Sequence, residues 1–258
     1  MKRTLVWTAL LIATLAGAPR AGAGEWPPEF LVNIQALPGD ISVREIRTTM
    51  RGFAGSLGVR CTHCHVGDDP NDLRSIDFAA DDKIEKRKAR EMIRMTRRIN
   101  EELLAKVPER SDPPVVIQCR TCHRSLTRPV EIRDLLAHTF AAEGAEATIA
   151  RYQELRDDYY GSDSYDFRPF VLANVAEEVA EQSPEGAIRL LEFNGELHPD
   201  SAQTFATMGR IYRSLGDLDG AIRSIERAVE AEPEVEFYRR VLERLREQRE
   251  RERKQPQQ

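Results

Sequence analysis

Apolar residues recur three and four positions apart along most of the chain, which predicts an all-α protein with little regular sheet. The first clear stripe is Val43, Ile46, Met50, Phe53 and Leu57; Ser42 before it is a capping residue and Gly58 after it is a stop. Ahead of that helix, "EWPPEFLVNIQALPGD" is punctuated by proline and reads as an extended lead-in. A second stripe, Ile84, Met92, Met95/Thr96, Ile99 and Leu103, predicts a long helix over about 83–106 with these residues facing inward. Lys86, Arg87, Lys88, Arg90, Arg94, Arg97 and Arg98 crowd the rest of its surface.

Further along, the chain matches itself at an offset of about 34 residues, the tetratricopeptide period. Ala187 aligns with Ala221, Leu191 with Ile225, and Pro199 with Pro233. Residues 202–235 resemble the repeat consensus through Phe205, Met208, Gly209, Tyr212, Gly216, Ala221, Ile225, Ala228 and Pro233. In that pattern the small residues let two helices approach closely, Phe205 and Tyr212 fill the gap, and Pro233 closes the second helix. Residues 168–201 form a degenerate copy, with Asn174 and Glu178 in place of the large apolar residues. Helices over "ATIARYQELRDDYY" and "EFYRRVLERLREQRERERK" would cover the two ends of the stack.

The N-terminus adds a destination. Lys2 and Arg3 precede an apolar run from Leu5 to Ala16 and then Ala21-Gly22-Ala23, which predicts a signal peptide over 1–23 cut after Ala23, and hence a periplasmic or otherwise extracytoplasmic protein. The expected organisation is therefore signal peptide 1–23, a first domain over 24–140 and a helical repeat module over 141–258. Charge divides along the same line: residues 25–140 are nearly balanced, whereas 141–258 are strongly acidic within a chain of formal net charge -5. That balance offers nothing to a phosphate backbone, so a nucleic-acid partner is not expected.

Chemistry concentrates in "CTHCH" at 61–65 and "CRTCH" at 119–123, which hold all four cysteines of the chain. A zinc site would use two CxxC knuckles, but these usually lie some 15–20 residues apart, far closer than Cys61 and Cys119, and zinc gives no reason for a histidine after each pair. A thioredoxin-like pair would need one CxxC at a helix start in a βαβ setting, and no such setting is present. Structural disulfides of an exported protein would leave the two histidines unexplained. Covalent haem accounts for every feature: two thiols reach the two vinyl groups of one porphyrin, and the adjacent imidazole binds its iron. Cys61, Cys64, Cys119 and Cys122 are thus candidate attachment points for two c-type haems, with His65 and His123 as proximal iron ligands. His63, between the first two anchors, should point away from that iron.

The sixth ligand decides whether such an iron passes electrons or binds small molecules. Met208 is claimed by repeat packing, which leaves Met50 on the helix before the first motif and Met92 and Met95 on the helix before the second. Methionine there would raise the potential relative to a second histidine. Arginines of 86–98 are candidates to neutralise haem propionates, or else form a solvated basic face. His138, a further candidate ligand, reads as a helix-end residue in "RDLLAHTF".

The runs "NIQALPGDISVREIRTTMRGFAGSLGVRCTHCHV", "DFAADDKIEKRKAREMIRMTRRIN" and "CRTCH" together resemble the multihaem cytochrome c subunit of bacterial photosynthetic reaction centres and its smaller diheme relatives. The resemblance covers roughly residues 30–130. It implies Met50 as distal ligand of the first haem and Met95 of the second, with Met92 as its substitute. It also implies single-electron relay among redox partner proteins, with a membrane electron-transfer complex as a candidate partner, rather than catalysis. The competing expectations are a diheme peroxidase-like enzyme with one open iron and a zinc-binding adaptor. The repeats would bind a protein or peptide, and Arg210 and Arg213 are candidates to meet an acidic one.

Overall fold

A computed structural model describes residues 30–254; the expected signal peptide lies outside them. Ten α-helices follow one another: α1 Val43–Leu57, α2 Ile84–Arg98, α3 Cys119–His123, α4 Ile132–Glu143, α5 Ala145–Tyr159, α6 Phe170–Val179, α7 Pro184–Leu197, α8 Ala202–Ser214, α9 Leu218–Ala231 and α10 Glu236–Lys254. Among the described residues the β-structure is one isolated antiparallel bridge, Val66 to Asp77, so the all-α class holds. No helix of these residues is long and apolar enough to cross a membrane. The chain divides into two compact units between Thr121 and Cys122, inside the second CxxCH.

In the N-terminal unit, α1 starts with a reciprocal cap. The Glu45 amide donates to Ser42 Oγ at 3.2 Å and the Ser42 amide donates to the Glu45 carboxylate at 2.9 Å, so two helix-end donors are satisfied together. Gly58 ends the helix at φ 68°, a left-handed turn that a side chain would strain. None of the residues of α1 is fully buried. Its stripe is half-buried and lines a cleft, described below.

The second helix departs from its expected packing. Helical geometry does run to Lys106, through a π turn at Ile99–Leu103 and a 3-10 turn at Leu104–Lys106. But the stripe expected to face inward is exposed: Ile84, Met92, Met95 and Leu103 are 41–51% accessible. The basic side is the packed one. Lys86 is buried, Arg90 pairs with Asp81 at 2.8 Å, and Arg97 donates to the Ala36 carbonyl at 2.7 Å. The reason is local: the lead-in and the 77–81 turn present carbonyls and a carboxylate, which only the cationic side of α2 can satisfy. Arg94 and Arg98 pair along the helix with Glu91 and Glu102. Lys86, Arg90 and Arg97 are thus tied to the segments around the helix, while Arg87 and Lys88 stand exposed on it.

The C-terminal unit has a continuous apolar core. Leu136, Tyr152, Leu172, Val175, Leu190 and Leu191 join α4 to α7, and Met208 and Ile211 extend the same core to α8. Next, Leu218, Ile222 and Ile225 of α9 pack with Leu242 and Leu245 of α10. Gly209 permits the tight pairing of α8 with α9, since a Cβ there would stand 2.9 Å from Ile225. Ala221 and Ala228 are fully buried and Met208 sits in the core, as the repeat pattern requires. One expectation fails here. His138 lies in the interior of α4, exposed, and caps no helix end. Arg210 pairs with Glu177 of α6, and both side chains remain about half exposed.

Candidate functional site

The first CxxCH opens as a 3-10 turn at Cys61–His63, and the His65 amide closes onto the Cys61 carbonyl at 3.0 Å. This winding ends with His65 buried under the turn while Cys61 stays half-buried. The chain then returns through Val66 and Asp77, whose amide donates to the Val66 carbonyl at 2.7 Å. Gly67 makes that return possible: a Cβ there would lie 2.8 Å from Ile76 Cγ1 and 3.0 Å from its Cα. Lys83, at the start of α2, donates to the carbonyl of Thr62 and ties the turn to that helix.

Around this turn lies a cleft that gathers three of the sequence candidates. Cys61, His65 and Met50 line it together with Ile46, Leu73 and Phe78. Among the described residues, the charged ones that line it are Arg47 and Arg51, one turn apart on α1, and none is a carboxylate. The cleft is thus an apolar bed edged with positive charge, complementary to a flat apolar ring that carries two carboxylates. Sequence reasoning missed this pair, because arginines on α1 were masked by the denser run on α2. Their signal was present in the spacing, since Arg47 and Arg51 flank Met50 on the same helix.

His65 itself has the properties of a metal donor. One of its ring nitrogens, Nδ1, is buried without a protein hydrogen-bond partner. Burial, reinforced by the Lys86 charge, pushes the imidazole down to about 4, so it is neutral at physiological pH, the form that ligates metal. Phe78 holds the ring edge-on, with centroids 5.0 Å apart and planes at 61°. The neighbouring Cys64 thiol is half-buried, and burial raises its pKa. His63 is half-buried and is not among the lining residues. Judged by these observations, an iron porphyrin fits: anchor thiol, neutral imidazole, thioether and counter-charge are present in one place.

The second CxxCH forms the short helix α3. Its approach is held by Asn100, in the π turn, whose side-chain amide donates to the Ile117 carbonyl and accepts from the Ile117 amide, both at 2.8 Å. A π turn rotates one side chain out of helical register, and such turns occur often at functional sites. Nothing in the hydrophobic pattern marks Asn100. An Asn100→Ala chain is expected to leave both half-buried Ile117 groups unpaired and to cost about 1–3 kcal/mol in a denaturant melt. A cost under about 0.5 kcal/mol would show that water replaces the side chain.

Downstream of the cysteines, His123 Nδ1 donates to the Leu126 carbonyl at 2.8 Å, which fixes the ring and leaves Nε2 as its available donor. Cys119 is half-buried and Cys122 exposed. Met92 and Met95 share the exposed face of α2.

Comparison with known proteins agrees with this chemistry. Cytochrome c-554 of Chloroflexus aurantiacus is 34% identical over 101 residues, which is 39% of this chain and 22% of the relative, so the aligned part spans about a fifth of the relative's length. The sequence profile of the photosynthetic reaction centre cytochrome C subunit family matches residues 70–217, more than half of the chain. That span contains α2 and the second CxxCH, while the first CxxCH lies upstream of it. The family implies covalently bound c-type haem with iron and an electron-carrying role, and by this match the chain belongs to the photosynthetic reaction centre cytochrome C subunit family.

Proposed function

We propose that the chain is an exported diheme c-type cytochrome that passes single electrons between extracytoplasmic redox partners. The observation that carries this reading is the cleft shared by Cys61, His65 and Met50 and edged by Arg47 and Arg51. When bound, each haem supplies an iron that cycles between ferric and ferrous by one electron. Cys61 and Cys64 would anchor the first haem, with His65 and Met50 as its axial donors. Cys119 and Cys122 would anchor the second, with His123 as proximal donor and Met95, or Met92 in its place, as distal donor. Two thioethers would hold both irons at relatively positive potentials and leave no open position for a substrate.

In the organisation we propose, a leader over 1–23 is removed near Ala23, residues 24–140 hold the redox centres, and 141–258 form a tetratricopeptide-like module that selects the partner. The family points to a membrane electron-transfer complex as that partner. Glu177 and Arg210 already pair within the module, so recognition would use other exposed residues of its strongly acidic surface.

Protein made in a haem-attaching host is expected to carry two low-spin haems per chain, counted by haemochrome absorption, and one after Cys61 and Cys64 are both replaced by serine. One high-spin iron in the unaltered protein would favour the peroxidase-like enzyme instead. Colourless protein containing zinc would replace the cytochrome reading with the adaptor.

A further inference from the structure

Lys86 is 8% exposed, which is rare for a lysine. Its ammonium donates to three successive carbonyls, Phe78 at 2.9 Å, Ala79 at 2.9 Å and Ala80 at 2.7 Å, and lies 3.0 Å from an Asp81 carboxylate oxygen. The turn is shaped to receive it: the Asp77 carboxylate accepts from the amides of Ala79 and Ala80, both at 2.9 Å, which leaves the carbonyls of 78–80 for the cation. Phe78, the first residue of this cage, is the ring held edge-on to His65 and a wall of the cleft.

We propose that Lys86 positions the Phe78 turn against His65 and, as a buried positive charge beside the proximal imidazole, raises the reduction potential of the iron held there. This rests on the reading of the first CxxCH as a haem site. The charge stands one residue from the imidazole: the ammonium lies 2.9 Å from the Phe78 carbonyl, and the Phe78 ring stands 5.0 Å, centroid to centroid, from His65. Arg90 shares the Asp81 carboxylate with Lys86, at 2.8 Å, while the Asp77 carboxylate is taken up by the amides of Ala79 and Ala80. In the redox step, ferric iron takes one electron from a reduced partner protein and no bond forms or breaks. The iron site loses one positive charge, so a nearby cation favours the ferrous product. Asp81 pairs with Lys86 and partly offsets that effect.

The test is a redox titration of the full chain with Cys119 and Cys122 replaced by serine, so that only the first motif carries haem. Lys86→Met is expected to lower the ferrous-to-ferric ratio at fixed poise by roughly three- to tenfold, tenfold being 59 mV for one electron. Lys86→Arg should keep the ratio, and Asp81→Asn should raise it. A merely structural role would destabilise the fold in both Lys86→Met and Asp81→Asn without moving the potential in opposite directions. Shifts of the same sign, or less than twofold in Lys86→Met, overturn the proposal. If Lys86→Met fails to fold, Asp81→Asn decides alone: an unchanged or lowered ratio overturns it. Absence of haem at Cys61 and Cys64 would overturn the site reading itself, a result distinct from haem that is bound but unmoved.

Discussion

A Met50→Ala chain is expected to retain both covalent haems and to lose the low-spin signature of one of them. The thioether stands on the α1 stripe that lines the same cleft as Cys61 and His65, and among the described residues no other methionine lines it. Removing it leaves the proximal imidazole and both thiols untouched, so attachment survives while one axial position opens. Because a thioether favours the ferrous state, the altered haem should also fall in potential relative to the unaltered protein. Paramagnetic resonance and the near-infrared thioether absorption read the change directly. An unchanged spectrum would discard Met50 as a ligand. The same substitution at Met95 should open the second haem while Met92→Ala does not, and the reverse outcome would assign Met92. Both residues lie on the exposed face of α2, so neither change should cost much stability before haem is attached.

A Phe205→Ala chain tests the other unit, and its effect should be the largest on stability. The ring is 1% exposed between Ala202 and Ala228, with the Arg227 guanidinium 3.9 Å from its centroid. It lies so close to α7 that a Cβ on Gly195 would stand 2.8 Å from it. Truncation removes this packing and leaves a cavity between helices that cannot collapse freely, at a cost of about 3–5 kcal/mol. Against a typical stability of about 5–15 kcal/mol, that is a large share. Denaturant melts followed by helical circular dichroism should show it, and a loss below about 1 kcal/mol would mean that the ring is not part of the core. The cation over its face adds a smaller part, which Arg227→Gln would isolate as a loss of about 0.5–1 kcal/mol.

Both positions were legible in the sequence, for different physical reasons. Phe205 stands in a repeat whose period is set by helix–helix packing, and packing leaves a dense trace: small residues where backbones touch, large ones between them. The helices expected over 147–160 and 236–254 accordingly coincide with α5 and α10 almost to the residue. Met50 was legible because α1 leads directly into a cysteine motif, so one stripe of apolar residues had to face whatever the motif holds. Cap chemistry at Ser42, Glu45 and Gly58 bounded that helix from local bonds alone.

The second helix shows where such reading ends. Apolar periodicity states which residues share a face, and Met92, Met95 and Leu103 do share one. Periodicity does not state which face finds a partner in the protein. That choice fell to Lys86, Arg90 and Arg97, because their partners are backbone carbonyls and Asp81 from segments distant in sequence, and a carbonyl leaves no mark in the pattern of side chains. Asn100 was invisible for the same reason, since both its partners are the main chain of Ile117. His138 was misplaced because a histidine five residues from a helix end and one at the end look alike until the cap is seen.

By itself, then, the sequence determined the class of chemistry and the helical class of the fold, since paired thiols with an adjacent imidazole and the spacing of apolar residues are both local properties of the chain. Tertiary structure alone decided which charges stand around the first motif: Arg47 and Arg51 at the edge of the cleft, and Lys86 caged by the Phe78 turn, since the value of a charge depends on what surrounds it.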